Sequence, residues 1–267
     1  MKQKYIVLFM TSALILCLFC GLAACSDSKE RAIENVMKKI PEYVTSVRCW
    51  DIELMSVTDN IARFRDELSY TIEKVVHETR IELDDVSHIT VVDDYPYVEG
   101  NFNYAEIRNE LGVPIQEYRG IDIWEIQGLR GNENIALIEN LIVFGDDIAD
   151  IEARIDTIKG DKKSLWDTGD VREVIIRLPD GFRMEYSTVG NSLFKDLTAG
   201  SSIEKKGDMT ITVTTVVVYK DEASANDATE EVEELLDSSE TMQKNTVKQD
   251  GKFLVVSYVM DIKDWSR

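Results

Sequence analysis

Few residues in this 267-residue chain have types and spacings suited to chemistry. Asp167 lies in Leu165-Trp166-Asp167-Thr168-Gly169, a setting in which one carboxylate can share a proton with another and so activate water. Ser192 and Lys195 stand three apart, the spacing of a serine nucleophile with a lysine partner. Histidine is the usual general base, and His77 and His88 are the two in the chain. Carboxylates gather at Asp84-Asp85, Asp93-Asp94 and Asp146-Asp147 with Asp150, hard oxygen ligands of the kind calcium takes. Thiols stand at Cys17, Cys20, Cys25 and Cys49.

Most of these weaken when their requirements are counted. The Asp167-Thr168-Gly169 triplet resembles that of aspartic proteases, a family that needs two such aspartates. Here Asp170 follows where that family usually has Ser, Thr or Ala, and there is no second copy. A third carboxylate disturbs a shared proton, so the triplet reads as a polar turn before a strand over Val171 to Leu178. Ser192-Leu193-Phe194-Lys195 resembles the Ser-x-x-Lys of penicillin-binding proteins and β-lactamases, and Ser224-Ala225-Asn226 supplies a Ser-x-Asn. The Lys-Thr-Gly element is absent, and Ser192 comes too late for a nucleophile that opens a large helical lobe. It reads as a loop after a hairpin. No Gly-x-Ser-x-Gly elbow occurs. His77 falls near the end of a helix, where a cation suits the macrodipole, and His88 precedes a strand. Both read as structural or solvated. The acidic pairs lack an Asp-x-Asp-x-Asp-Gly loop, and neighbouring acids on a strand point to opposite faces. They read as solvated surface. No His or Cys cluster has zinc spacing. We therefore assign no catalytic, metal-binding or cofactor-binding residue.

Cys25 is different, because its surroundings specify a modification. Lys2 and Lys4 give a short positive start, Tyr5 to Ala24 carries no charge, and Ile6 to Phe19 is almost wholly apolar. Small residues and a polar run, Ser26-Asp27-Ser28, follow. That order describes an export signal. Its last residues, Leu22-Ala23-Ala24-Cys25, resemble the lipobox of bacterial lipoproteins. The resemblance covers residues 1–25. It implies a diacylglyceryl group on the Cys25 thiol, cleavage before Cys25, a bacterial source and a mature domain outside the cytoplasm, anchored to membrane lipid through its acyl chains. An uncleaved membrane helix is the other reading of the apolar stretch, since twenty uncharged residues just span a bilayer. Either way the rest of the chain lies outside the cytoplasm. Cleavage removes 24 residues and two lysines from a chain of 267 residues at −20, which leaves 243 residues at −22. It also removes Cys17 and Cys20. With Cys25 capped, Cys49 is the one remaining thiol, so no intramolecular disulfide forms. Cys49 reads as a buried small hydrophobe.

Charge narrows the partners. Fifty acidic residues face thirty basic ones. Polyphosphate is bound by Lys and Arg, and the short basic runs Lys38-Lys39, Lys162-Lys163 and Lys205-Lys206 have no interleaved aromatics. Nucleic acid is excluded as a partner, and anionic headgroups repel the body of the protein. Residues 221–240 hold nine acids around an Ala228, Val232, Leu235 stripe. This reads as an exposed helix face, with a docking surface for a basic partner as the functional alternative. Trp50, Trp124, Trp166 and Trp265 read as core anchors rather than a sugar or peptide groove.

The elements follow from periodicity. Residues 29–40 space Ala32, Ile33, Val36, Met37 and Ile40 as a helix that Pro41 ends. Ile61, Phe64, Leu68, Ile72 and Val75 predict a longer one over Thr58 to His77. Residues 103–111 predict a short helix between Asn103 and Gly112. Gly120 to Leu129 alternates as a strand, and Ile135 to Phe144 is a longer apolar run. Two similar stretches then suggest an internal repeat. The first runs from Leu141 through Phe144-Gly145-Asp146-Asp147, a helix bearing Ile148, Ile151, Ile155 and Ile158, strand 171–178, the turn Asp180-Gly181, and strand 182–188. The second runs from Val216 through Tyr219-Lys220-Asp221-Glu222, a helix, strand 242–248, the turn Asp250-Gly251, and strand 253–260.

The reading is an α+β protein: N-terminal helices, then mainly antiparallel sheet, with two tandem β-α-β-β units and helices on one sheet face. Residues 1–24 are the lipoprotein signal peptide, and 25–28 the lipidated Cys25 and a short tether. Residues 29–160 form an N-terminal helical and α/β part, and 161–267 a C-terminal α+β part. These two parts are close enough to be one domain. The function expected is that of a membrane-anchored, non-catalytic binding or interaction module with a protein partner in the cell envelope. A small-molecule receptor of a transporter, and less so an envelope hydrolase, are the alternatives.

Overall fold

The computed structural model describes residues 32–56, 79, 81–128, 131–190, 194, 197–207 and 209–265. Cys25, the helix expected over 58–77 with His77, and the pair Ser192 and Lys195 lie outside the described residues.

The chain runs α1 (Ala32–Met37), β1 (Ser46–Asp51), α2 (Ile52–Ser56), β2 (Val86–Val92), β3 (Tyr95–Gly100), α3 (Tyr104–Leu111), β4 (Gln116–Tyr118), β5 (Ile121–Gly128), β6 (Gly131–Ile138) and β7 (Leu141–Gly145). It continues with α4 (Ile148–Ile158), α5 (Gly169–Ile175), β8 (Arg183–Ser187), β9 (Ala199–Lys205), β10 (Thr210–Val218), α6 (Glu222–Asp237), β11 (Gln243–Asp250) and β12 (Phe253–Asp261). All twelve strands join one sheet, in the order β11-β12-β10-β9-β8-β1-β2-β3-β7-β6-β5-β4. Every neighbouring pair is antiparallel. The class is α+β. β1 pairs with β2 on one side and β8 on the other, so the ladders continue unbroken across residue 160.

Helices cover both faces of the sheet, not one. The reason lies in the strands. β7 reads Leu-Ile-Val-Phe-Gly and is buried at every residue, so each of its faces must be kept from water. β5 sends Ile121 and Ile123 to one face and Trp124 and Ile126 to the other. Met55 of α2, Ile107 of α3 and Val232 and Leu236 of α6 pack with Trp50, Trp124, Phe144 and Leu254. Met37 of α1, Ile151 and Ile155 of α4 and Val171 and Val174 of α5 pack with Val47, Ile123, Val143 and Val216. Each such fully buried side chain contributes roughly 1.5–3 kcal/mol over exposure.

Two expected strands resolve differently. The apolar run Ile135 to Phe144 folds back on itself: Ile138 pairs with Leu141 around Glu139-Asn140, with Glu139 at φ +53°. Residues 169–175 are helix α5, not part of a strand. Val171, Val174, Ile175 and Leu178 recur at i, i+3, i+4 and i+7, and all four are buried. The β-branched residue types suggest a strand; the spacing of the buried face is helical.

The tandem repeat falls with that strand. The second unit is β10-α6-β11-β12, the expected order. The first has two helices between β7 and β8, and those strands are separated in the sheet by β3, β2 and β1, whereas β10, β12 and β11 are adjacent. Asp180-Gly181 leads from the end of the α5 region into β8 rather than turning a hairpin. In the second unit Asp250 pairs with Phe253, so the two-residue loop is Gly251-Lys252. Gly251 has φ +61°, the glycine-first arrangement of a type II′ turn.

Candidate functional site

Asp167 and Asp170 are occupied in building the fold. Asp167 Oδ2 accepts hydrogen bonds from the Ser164 backbone N–H and hydroxyl, both at 2.9 Å. Ser164 and Asp167 form a capping box at a 3₁₀ turn over Leu165–Asp167. The Ser164 N–H and then its hydroxyl hold the Asp167 carboxyl below the usual carboxylate range. A carboxylate kept ionised by two local donors is a poor holder of a shared catalytic proton. Asp170 pairs with Lys252 at 2.5 Å.

His88 has partners that local pattern does not reveal. It lies directly opposite Asp51 in the β1–β2 ladder, with Nε2 3.6 Å from Asp51 Oδ2. Its Nδ1 is 3.2 Å from Ser87 Oγ. The facing Asp51 carboxylate raises the His88 pKa above its ordinary value, against the opposing effect of burial. Burial pushes the Asp51 carboxyl up, but His88 and the Leu54 N–H outweigh it and hold it low. Ser, His and Asp here do not make a nucleophilic triad. Ser87 donates its proton to the Glu99 carbonyl at 3.0 Å, so its hydroxyl is an acceptor toward His88 rather than a donor to it.

Of the acidic clusters, Asp93, Asp146, Asp147 and Asp150 serve as caps and anchors. Asp93, at φ +51°, accepts from Thr45 N–H, Thr45 Oγ1 and Ser46 N–H at 3.0–3.2 Å. Asp147 caps α4 by accepting from the Asp150 N–H at 2.8 Å. Asp146 accepts from Tyr95 OH at 2.8 Å. Asp150 accepts from Tyr43 OH at 3.0 Å and Arg154 Nε at 2.9 Å. Arg154, only 3% exposed, lies over the rings of Tyr95 and Tyr97 at 5.8 and 5.3 Å. Burial, then Asp150, pushes the Tyr43 hydroxyl up to about 12. Among the described residues, no group of three or more His, Cys, Asp or Glu is arranged to hold a metal ion. Cys49 is buried, and burial pushes its thiol up to about 12, which makes it a poor nucleophile.

The four tryptophans line no common groove. Trp50 and Trp124 are core residues, the latter donating Nε1–H to the Gly112 carbonyl at 3.0 Å. The Arg183 guanidinium lies near both Trp50 and Trp265, 5.6 and 5.4 Å from their ring centroids. Trp166 lies elsewhere, under Lys38 and Arg172 at 5.9 Å each.

A surface that is not consumed by the fold lies along α6. Asp221 caps this helix, accepting from Ser224 N–H at 2.8 Å and Oγ at 2.7 Å. Ala225, Val232 and Leu236 bury its inner face. Beside them Ala228, Glu231, Val232 and Leu235 form one wall of a groove of about 270 Å³. Tyr219, Phe194 and Leu197 form the other wall. Leu235 remains 47% exposed at its edge. The volume sits just under the roughly 300 Å³ at which small-molecule pockets begin, enough for a large side chain. Burial and then Glu231 raise the Tyr219 hydroxyl.

The charge on α6 is unbalanced. It carries Glu222, Asp227, Glu230, Glu231, Glu233, Glu234 and Asp237, with no basic residue. Elsewhere acids find cations: Asp150 with Arg154, Asp156 with Arg119 and Lys162, Glu173 and Asp250 with Arg177, Glu185 with Arg183. Among the described residues, no cation pairs with an α6 carboxylate. Like charges at i,i+4, as in Asp227–Glu231, Glu230–Glu234 and Glu233–Asp237, each cost a helix about 0.2–0.5 kcal/mol. Glu233, Glu234 and Asp237 also oppose the macrodipole at the C-terminal end. The Ala228, Val232, Leu235 stripe is legible in the sequence. The groove is not, because Phe194, Leu197 and Tyr219 reach it from separate connections.

No family model matches the chain. A curated relative, the uncharacterized protein MJ0635 of Methanocaldococcus jannaschii, is 30% identical over 172 residues, 60% of this chain and 59% of that protein. The chain thus spans under two thirds of that relative's length. The solved structure of TP0453 in its crystal form I is similar with a TM-score of 0.52 at 8% identity, over 84% of this chain and 92% of that one. This likeness concerns the fold.

Proposed function

We propose that this is a lipid-anchored protein of the bacterial cell envelope, tethered through acylated Cys25, whose extracytoplasmic domain works as a non-catalytic interaction module. The observation that carries the reading is Leu22-Ala23-Ala24-Cys25 at the end of an uncharged run that starts at Tyr5 behind a lysine-led start. Two acyl chains suffice for stable anchoring, at about 0.8 kcal/mol per buried methylene. Six residues, 26–31, lie between Cys25 and α1, a separation short enough to keep the domain near the bilayer. The module reading draws support from the commitments of Asp167, His88 and Asp150 to caps and ion pairs, set beside the unbalanced, grooved face of α6.

Metabolic labelling with a fatty acid analogue tests the anchor. The wild-type chain takes up label and runs as the shorter mature form, while Cys25→Ala accumulates as unlabelled precursor. Equal labelling and processing of the variant overturns the reading. For the module, chemical cross-linking on intact cells is expected to recover a protein partner; recovery of none counts against it.

A further inference from the structure

We propose that the groove beside α6 docks a basic amphipathic segment of a partner protein, which inserts a large apolar side chain against Tyr219, Val232 and Leu235 and sets Lys or Arg against Asp227, Glu231 and Glu234. The proposal rests on the interaction-module reading and deepens it by naming the partner's chemistry.

Three features of the molecule converge. The groove is lined by the apolar side chains of Phe194, Leu197, Ala228, Val232 and Leu235 together with Tyr219 and Glu231, and it is open to solvent, with Leu235 half exposed. Glu231 lines the groove, and Asp227 and Glu234 stand four residues before it and three after it, so the three acids form one ridge along the exposed side of α6. That ridge has no cation of its own among the described residues, whereas Asp150 of α4, Asp170 and Glu173 of α5 and Glu185 of β8 each have one. A helix that keeps seven acids and no base against its own repulsion is complementary to a cationic surface and repels an anionic one. The volume admits an anchoring side chain rather than a whole small ligand. A segment with apolar residues at helical spacing and lysines beside them satisfies groove and ridge together.

The test uses the mature acylated protein in phosphatidylcholine nanodiscs, with empty nanodiscs subtracted. The probe is a fluorescein-labelled 18-residue peptide of Leu and Lys at amphipathic helical spacing, read by fluorescence anisotropy. Two control peptides replace Lys by Glu, or Leu by Ser. The Leu/Lys peptide is expected to bind at least tenfold more tightly than either control, and to weaken as NaCl rises. Ala228→Trp, which fills the groove, and the triple exchange Asp227→Lys/Glu231→Lys/Glu234→Lys should each weaken it tenfold or more. The triple exchange alters exposed, unpaired side chains, so it remains decisive if Ala228→Trp fails to fold. Wild-type affinity in the triple exchange overturns the proposal, as does equal binding of either control or no binding of any peptide. Binding of phosphatidylcholine vesicles that the same exchanges abolish overturns it in favour of a lipid ligand. Failure of the groove is separable from failure of the module reading. A partner cross-linked equally by wild type and triple exchange overturns the groove alone, and a chain that recovers no partner in either form overturns the module.

Discussion

His88 and Asp51 face each other across the β1–β2 ladder, and their coupling makes stability depend on pH in a defined direction. The folded-state pKa of His88 is raised above 6.5. Its stabilising contribution is therefore complete below pH 6.5 and is lost as pH rises through the folded value. Asp51 is lowered from 3.8, so its contribution is present above that pH and lost as pH falls through its folded value. The window in which both contribute fully lies between those two ordinary values. Urea unfolding of wild type and His88→Gln should differ most near pH 5.5 and converge toward pH 8.5. A difference that grows with pH contradicts the pairing. None of this is legible in the sequence, because 37 residues separate the partners and only strand register brings them together. Asp167 is the opposite case. The Ser164-x-x-Asp167 spacing of a capping box stands in the sequence beside the protease-like triplet, and the local hydrogen bonds show which of the two patterns the chain uses.

At the scale of elements, α5 shows how residue type misleads when spacing is ignored. Val171, Val174, Ile175 and Leu178 suit a strand by type, yet their period is helical and the sheet receives them as one face. Close approach of that helix depends on Gly200 in β9. A Cβ there would stand 2.5 Å from Val174 Cγ1 and 3.3 Å from the Glu185 carbonyl oxygen. Valine is stiff at χ1, so the helix itself must give way. Gly200→Ala is expected to cost about 1–3 kcal/mol by urea denaturation. An unchanged midpoint contradicts this packing. α4 and α6 are legible in advance because each starts at an aspartate cap and repeats an apolar stripe. The hairpin at Glu139-Asn140 is not, because uninterrupted apolar residues flank a turn without glycine.

The described residues build a single antiparallel sheet with helices on both faces, and its class follows from the strand and helix order in the sequence. Which faces the helices cover does not, because that depends on how many strands are apolar on both sides. The chain is strongly acidic, with a formal charge of −20, and α6 carries seven acids and no base. Self-repulsion of exposed charge is screened by salt, with a Debye length falling from about 30 Å at 0.01 M to about 3 Å at 1 M. The thermal midpoint of the protein should therefore rise between 10 mM and 0.5 M NaCl, by a few degrees. A falling midpoint would mean that its ion pairs outweigh its repulsions.

The role proposed here depends on where the chain begins and what its first residue carries. Intact-mass and N-terminal peptide mass spectrometry of the protein from its native membrane measures both at once. The account predicts a chain that starts at Cys25 and bears a diacylglyceryl group on that sulfur. A chain that starts at Met1 with a free Cys25 thiol and fractionates with the cytosol contradicts it.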